Sequence, residues 1–543
     1  MKAKIFTTLL LLFFLKFSYS QDVTIKTNYV GEDFSFTLQT YRLDGKLKID
    51  WNGQVQDLGL MPTGQSQTYT SPYSLSGNAT IKIYLDNKLE YFAVTAQNVT
   101  DIIVNNPESM ITTIKCGESD LVNLDVANAS LLEEITLSKN KLATLNLSAN
   151  NNLKRIVIDG NPLTSVQLPA TLASAASLNI GQTLLSEASI SGILSKMPNL
   201  TSLTINNDQS ENKLTVIDLS ANTELEDLNL LNNGIEVLNL SNNTKLKSVR
   251  IGNNKIRTIS LNAPLLETLS CPTNELTLLD VSSCTNLVTL GCSYNNLKKL
   301  DLSKNLLLKS VICSSNDISS LVIDESVSLD QLDCTKNKLH FGTFPRVSVA
   351  SGGYLYTGQD SLSVKATTER TIDISRYLVT VTGTVPGTTN SPTTVITWLF
   401  QKYGGGSPKA IAKSLYTEVN GVYTFQEDAS LKGGIIYAKL KNAAFPKINF
   451  LDTKGVDFDD PSVGIGENKV KDVVVSYNSS NGNLYYQAEN VEAVQIINIS
   501  GRTVYSEKVN TSQGEISLLD QPSGVYVVVV KTADSRFAKK IVK

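Results

Sequence analysis

Eleven times between Ile111 and Leu339 the chain repeats one phrase of about 21 residues. The clearest copies are LEDLNLLNNGI from Leu225, LKSVRIGNNKI from Leu246, LETLSCPTNEL from Leu266, LVTLGCSYNNL from Leu287, LKSVICSSNDI from Leu308 and LDQLDCTKNKL from Leu329. Repeats start at 111, 132, 153, 175, 200, 225, 246, 266, 287, 308 and 329, so the spacing stays near 21 and stretches to 25 twice, around Ser186 and Asn206. A unit this short cannot enclose a core, and its leucines are covered only when neighbours stack on it. The Leu-x-Leu pair alternates with period two, which specifies a short strand with one face inward. Parallel stacking at about 4.8 Å per strand then gives a curved solenoid roughly 50 Å long.

The ninth position is asparagine in eight copies: Asn140, Asn161, Asn233, Asn254, Asn274, Asn295, Asn316 and Asn337. An inward amide there can satisfy backbone groups that the turn leaves unpaired. Ser119, Thr183 and Asp208 stand at that position in the other three. A second half-repeat, as in ATLNLSANN and EVLNLSNNT, adds another Leu-x-Leu and a second row at Asn150, Asn222, Asn243 and Asn305. Because 21 residues leave no room for a helix, the convex side is expected to consist of extended and turn segments. The pattern resembles the leucine-rich repeat, and its two-half form resembles the bacterial internalin type that carries cysteine on the strand. The expected fold class is mainly β: a leucine-rich-repeat solenoid flanked by β-sandwich domains.

Five of the six cysteines, Cys116, Cys271, Cys292, Cys313 and Cys334, hold the inward strand position, and Cys284 stands in the second asparagine row. Parallel, in-register neighbours do not offer the β-carbon approach or the twist that a disulfide needs. These residues therefore read as a ladder of free, buried thiols. A straight row cannot surround a tetrahedral zinc ion. The formal charge is −3 with acids and bases interspersed, which gives no nucleic-acid footprint. The one histidine, His340, lies just past the last repeat and reads as a solvated or capping residue. No catalytic residue, metal or cofactor is expected.

Residues 1–20 read as an export signal: Lys2 and Lys4, the apolar run IFTTLLLLFFL, then Ser18 and Ser20 before a cut at Gln21. That run is too short to span a bilayer, and no membrane-spanning segment is expected elsewhere. Residues 21–108 alternate apolar and polar positions between turns, which predicts a small β-sandwich capping the N-terminal edge of a solenoid at 109–344. Its LKIDWNG stretch resembles PKD-like surface domains through Trp51 and Gly53, although Asn52 interrupts the motif and its second Asp is absent. Residues 345–462 carry Trp398, Phe400, Tyr423 and Phe425 in alternating strands, which predicts an immunoglobulin-like sandwich with those rings in its core. Asp452, Asp457, Asp459 and Asp460 form an acidic cluster that matches no calcium loop and reads as a solvated linker edge.

The last domain, 466–543, reads as strand, Gly501 turn, strand, Gly524 turn, strand and basic terminus. Its motifs are Asn498 and Gly501 with Val504, then Leu519 and Gly524-Val525-Tyr526, then Lys539, Lys540 and Lys543. This combination resembles the C-terminal sorting domain of the type IX secretion system of Bacteroidetes. The resemblance implies contact with that machinery, passage across the outer membrane, removal of the tail, and release or attachment to surface lipopolysaccharide.

The free strand positions form a polar face with few rings. The candidate binding residues on the concave side are Arg155, Asp227, Arg250, Tyr294 and Asp333. Tight protein interfaces use several aromatic or arginine anchors, so a broad, modest-affinity contact with an extracellular protein or glycan is expected from a monomer. A surface spacer, and a carbohydrate-binding or hydrolytic activity within 345–460, are the alternatives. The Asp/Asn column at Asp125, Asn146, Asp218, Asn239, Asp280 and Asp301 reads as turn residues rather than metal ligands.

Overall fold

The computed structural model describes residues 21–543 apart from 41–45, 62–63, 86–88, 209–210, 363, 368–369, 379–393, 404–406, 444–449, 459–473, 479–482, 499–501, 523 and 533–535. The export signal at 1–20, together with Gly501, Asp459 and Asp460, lies outside the described residues. The chain separates into two compact units, one running to Leu339 with Thr343–Gly358, the other formed by His340–Gly342 with Gln359–Lys543.

In the first unit every repeat contributes a short strand to one sheet, 15-stranded among the described residues. From Leu89–Thr95 onward its strands are parallel and pair without slippage: Ile135 faces Ile156, Leu228 faces Val249, and Leu290 faces Val311. Beyond Asn123–Asp125 the second half-strands pair in twos, among them Thr144–Asn146 with Ser165–Gln167, Val237–Leu240 with Thr258–Leu261, and Lys299–Leu302 with Ser320–Ile323. One side thus pairs continuously while the other opens at intervals.

The asparagine row explains why the turn after each strand is so uniform. Asn295 accepts from Leu276 N at 3.0 Å and donates to Cys271 O at 3.0 Å, Cys292 O at 3.1 Å and Ser293 O at 3.3 Å. One buried amide therefore stitches its own turn to the preceding repeat. The residue before each ladder asparagine takes a left-handed conformation, with φ of 56° at Lys139, 60° at Asn232, 56° at Tyr294 and 52° at Lys336. That costs about 1 kcal/mol or more at a non-glycine residue, and the amide bonds it permits offset it. The second row works similarly: Asn305 donates to Val281 O at 2.9 Å and Cys284 O at 2.8 Å.

Three features differ from the sequence expectation. In the fifth repeat Asn207 is the buried asparagine beside Asp208: it is 3% exposed, accepts from Gln182 N at 2.7 Å and donates to Asn233 Oδ1 at 2.7 Å, bonds that differ from those of the ladder. An α-helix, Glu187–Leu194, occupies the second half of the fourth repeat, capped by Ser186, whose side chain accepts from Ser189 N. The four extra residues give the room that a 21-residue unit lacks. Finally, the ladder runs on past Phe344, with Tyr354–Leu355 pairing parallel to the strand at 331–333. Tyr354 and Tyr356, 8% and 6% exposed, replace the Leu-x-Cys pair, so an aliphatic template ends one rung early.

The N-terminal strands are not a separate lid. Leu89–Thr95 pairs parallel with Thr113–Gly117, and Val99–Val104 pairs parallel with Asn123–Asp125. Two sheets thus run across residue 108 into the two sides of the solenoid. Between them Phe36 stacks against Trp51 at 5.4 Å and Phe92 at 6.2 Å. Asn52 and Gly53, at φ 56° and 94°, make the tight hairpin turn that an Asn-Gly pair favours.

In the second unit, among the described residues, two four-stranded antiparallel sheets include Val422–Phe425 in one and Val395–Lys402 with Gly434–Lys441 in the other. Trp398 joins them, 5.1 Å from Tyr423 and 4.9 Å from Phe425. His340 is half-buried: it lies edge-on to Tyr377 at 5.1 Å, and its Nδ1 accepts from Gly342 N at 3.2 Å. Burial first, then the nearby Arg376 charge, lowers its pKa to about 4. The tail forms a five-stranded sheet around Leu484, Val494, Ile496 and Val528.

Candidate binding face

Outward positions on the continuous sheet are the first and third residues of each three-residue strand, because the middle leucine, isoleucine or valine points inward. They bring together Ser177 and Asn179, Ser202 and Thr204, Asp227 and Asn229, Ser248 and Arg250, Thr268 and Ser270, each partly or fully exposed. The centre of the face is therefore a field of hydroxyls and amides at about 4.8 Å spacing, crossed by one carboxylate and one guanidinium.

At its N-terminal end charge concentrates. Glu134 holds Lys115 at 3.3 Å and Arg155 at 3.5 Å, on three adjacent strands. Lys115 also lies over the Tyr91 ring at 5.6 Å, and Arg155 donates to Ser177 Oγ at 3.3 Å. Tyr91 belongs to Leu89–Thr95, a strand that enters this sheet from the N-terminal region. The repeat template does not extend to it, so the sequence reading missed it.

The predicted residues spread along the face rather than converging. Arg155 opens its strand, Asp227 opens another three strands on, and Arg250 closes the next. Asp333 closes a strand four further along, and its carboxylate accepts from Thr335 N at 3.0 Å and Thr335 Oγ1 at 2.7 Å. Arg155 and Asp333 are eight strands apart, roughly 38 Å. Tyr294 is not on a strand: it occupies the left-handed turn beyond Thr289–Gly291, 59% exposed. The named residues are therefore distributed along the sheet and do not meet at one point.

The thiols lie beneath this face. All six cysteines are free and buried. Burial pushes Cys116, Cys271 and Cys313 up to about 12, and raises Cys292 and Cys334 well above the ordinary thiol value. They stay protonated and act as small hydrophobes. On the opposite side the Asp/Asn column caps local turns: Asp218, Asn239, Asp280 and Asp301 each accept from the backbone N–H two residues on, at 2.9 to 3.0 Å. Among the described residues no cluster of three or more His, Cys, Asp or Glu is arranged to hold a metal.

The tail residues form a second constellation. Asn498 Oδ1 accepts from Arg502 N at 3.0 Å, and Asn498 pairs in register with Tyr526. Tyr526 is buried and donates its hydroxyl to Pro522 O at 2.6 Å. Gly524 and Lys543 exchange backbone hydrogen bonds at 3.2 and 2.9 Å, while Lys543 Nζ donates to Leu519 O at 3.0 Å. Lys539 Nζ donates to Val475 O at 2.6 Å, and Lys540 faces Val527 in the strand pairing.

Fold and tail define the class: a leucine-rich-repeat solenoid joined to an export domain. Residues 474–543 match the family described as the secretion system C-terminal sorting domain. That tail marks the chain for export to the cell surface or secretion, and no helix among the described residues is long and apolar enough to cross a membrane. Comparison with the curated proteins gives no match. Among solved structures the chain is similar to the functional domain of InlJ from Listeria monocytogenes, which includes a cysteine ladder, at 19% identity and TM-score 0.37, over 66% of this chain and 89% of that one. It is also similar to YopM from Yersinia enterocolitica, at 16% identity and TM-score 0.31, over 51% and 75% of the two chains. The solenoid assignment rests on the strand register above, not on these low-identity likenesses.

Proposed function

We propose that the protein is a non-catalytic binding or adhesion module, carried out of the cell by its tail, that holds an extracellular protein or glycan along the continuous sheet. The observation that carries this reading is the continuous 15-stranded sheet, whose outward positions are mostly hydroxyl, amide and charged side chains, interrupted at Val157, Gly291 and Ile312. Arg155, Asp227 and Arg250 supply its charged contacts, and the Tyr91–Lys115–Glu134 group anchors one end. Many shallow polar contacts give a modest affinity that depends on area and salt. Probing protein and glycan arrays with the secreted chain tests the reading. Arg155→Ala with Arg250→Ala is expected to weaken any ligand so found by about tenfold, and unchanged affinity refutes the sheet face as the site.

Export through the type IX machinery, with cleavage of the tail and release or surface attachment, completes the proposal. Intact-mass analysis of exported material is expected to show a mature form without residues 474–543. Mature surface protein retaining Lys543 contradicts cleavage.

A further inference from the structure

The side opposite the continuous sheet has a break that the repeat pattern does not announce. After Gly234 N donates to Leu214 O at 2.7 Å, the next rung between these repeats is missing. The equivalent rung forms at some junctions, from Thr164 N to Ala143 O at 2.9 Å, Arg257 N to Glu236 O at 2.9 Å and Ser319 N to Lys298 O at 3.0 Å, and is missing at others, as between Arg257 and Thr277 and between Thr277 and Lys298. The helix of the preceding repeat lies beside this opening. Its first residue, Glu187, accepts from Thr215 N at 2.6 Å, Thr215 Oγ1 at 2.7 Å and Val216 N at 3.1 Å. Those bonds tie residues 215 and 216 to the helix. Among the described residues no backbone hydrogen bond joins the two segments, and a groove of about 530 Å³ opens between them.

The groove has a definite chemistry. One wall is the unpaired edge of Val237–Leu240, whose other edge pairs with Thr258–Leu261. Val216 and Val237, 64% and 63% exposed, give it aliphatic flanks, and no aromatic ring lines it. Asp218 and Glu236 are its charged lining residues, and no cation lines it. Arg257, outside the lining, is shared between Glu236 at 3.2 Å and Glu275 at 2.9 Å, which leaves Asp218 as the dominant charge. Ser220 N holds the Asp218 carboxyl below the usual range, so it remains ionised.

We propose that this groove docks an extended peptide strand from a protein partner, one that carries an aliphatic and a basic side chain two residues apart, because Val237 and Asn239 share the outward face of their strand. A strand laid along Val237–Leu240 pairs its backbone with the open edge, sets an aliphatic side chain between Val216 and Val237, and turns a lysine or arginine to Asp218. At about 3.3 Å per residue the edge accommodates roughly four residues. A glycan would find neither the ring to stack on nor a use for the aliphatic walls. The proposal stands on the opposite side from the sheet face and survives or fails independently of it.

The probe is the capped hexapeptide acetyl-Ser-Val-Ser-Lys-Ser-Val-amide, titrated into the full chain at low salt and followed by the methyl resonances of Val216 and Val237. Saturable shifts in the millimolar range are expected. A glutamate-for-lysine version and a version N-methylated at the valines are each expected to bind at least tenfold more weakly. Asp218→Asn with Glu236→Gln is expected to cost the lysine peptide about tenfold while the unfolding midpoint stays put, because Asn146 and Asn239 hold the same local turn. Equal binding by the double variant, by the glutamate peptide or by the N-methylated peptide overturns the proposal. So do absent shifts at millimolar peptide, and shifts that follow protein concentration alone, which would mark a second copy as the occupant.

Discussion

Replacing Asn295 by alanine tests whether the amide ladder holds the repeats together. The side chain is 7% exposed and makes four hydrogen bonds, one accepted and three donated. These losses are unequal. Leu276 N–H loses its amide acceptor and is left orphaned in the core, at about 1–3 kcal/mol. Cys271 O keeps Asn274 at 3.2 Å and Cys292 O keeps Asn316 at 3.0 Å, so each loses one bond of two, at about 0.5–1.5 kcal/mol. Ser293 O reaches solvent more readily and adds little. The expected destabilisation is about 3–4 kcal/mol, read from the urea midpoint at constant slope and from hydrogen exchange at the Leu276 amide. Asn296→Ala, one residue on and exposed, is expected to stay within about 0.5 kcal/mol. Adding Asn316→Ala removes both partners of Cys292 O, so the double variant should exceed the sum of the singles by about 1 kcal/mol or more. A single-variant effect below about 1 kcal/mol, or strict additivity, refutes the shared-carbonyl ladder.

Other predictions follow from the same geometry. A thiol reagent at pH 8 should leave the five strand cysteines unmodified in the native protein and reach all six on unfolding; rapid native labelling of Cys292 or Cys313 would contradict their burial. His340 has a folded pKa of about 4 against roughly 6.5 unfolded. Below pH 6.5 the unfolded state therefore takes up the proton first, and stability that is full above that pH is lost toward pH 4. The loss is about 1.4 kcal/mol per pH unit, on the order of 3 kcal/mol in all. His340→Gln should flatten that limb of the stability–pH curve, and superimposable curves refute the assignment. Gly181→Ala should destabilise by about 1–3 kcal/mol, since a β-carbon there overlaps Asn206 O and sits 2.9 Å from Asn206 N; a neutral result in urea unfolding would show that the turn can yield.

The repeat period made the first unit legible. Leucine at positions one, four and six, with asparagine at nine, names the inward strand, its face and the ladder, because each is decided within one repeat and its neighbour. The cysteine row was legible for the same reason: a side chain in the second leucine position of a parallel strand meets only its copies. The tail was legible through turn glycines and a run of valines. The candidate site was less so. Arg155, Asp227 and Arg250 lie on the face, whereas Tyr294 leaves it because the ladder turn forces a left-handed backbone after the strand.

What only the tertiary structure decided lies where pairing is non-local. Two N-terminal sheets continue into both sides of the solenoid and bring Tyr91 to the face, a choice made by strand edges about 20 residues apart that share no repeat signature. Tyr354 and Tyr356 prolong the ladder because ring volume fills the slot of a leucine and a cysteine, which a pattern of residue types does not express. Beside the groove at Val237 one glutamate holds two amides of a repeat further on, a pairing that no repeat position announces. Local periodicity fixes which side chains turn inward; pairing between segments that share no such period fixes where the sheets continue.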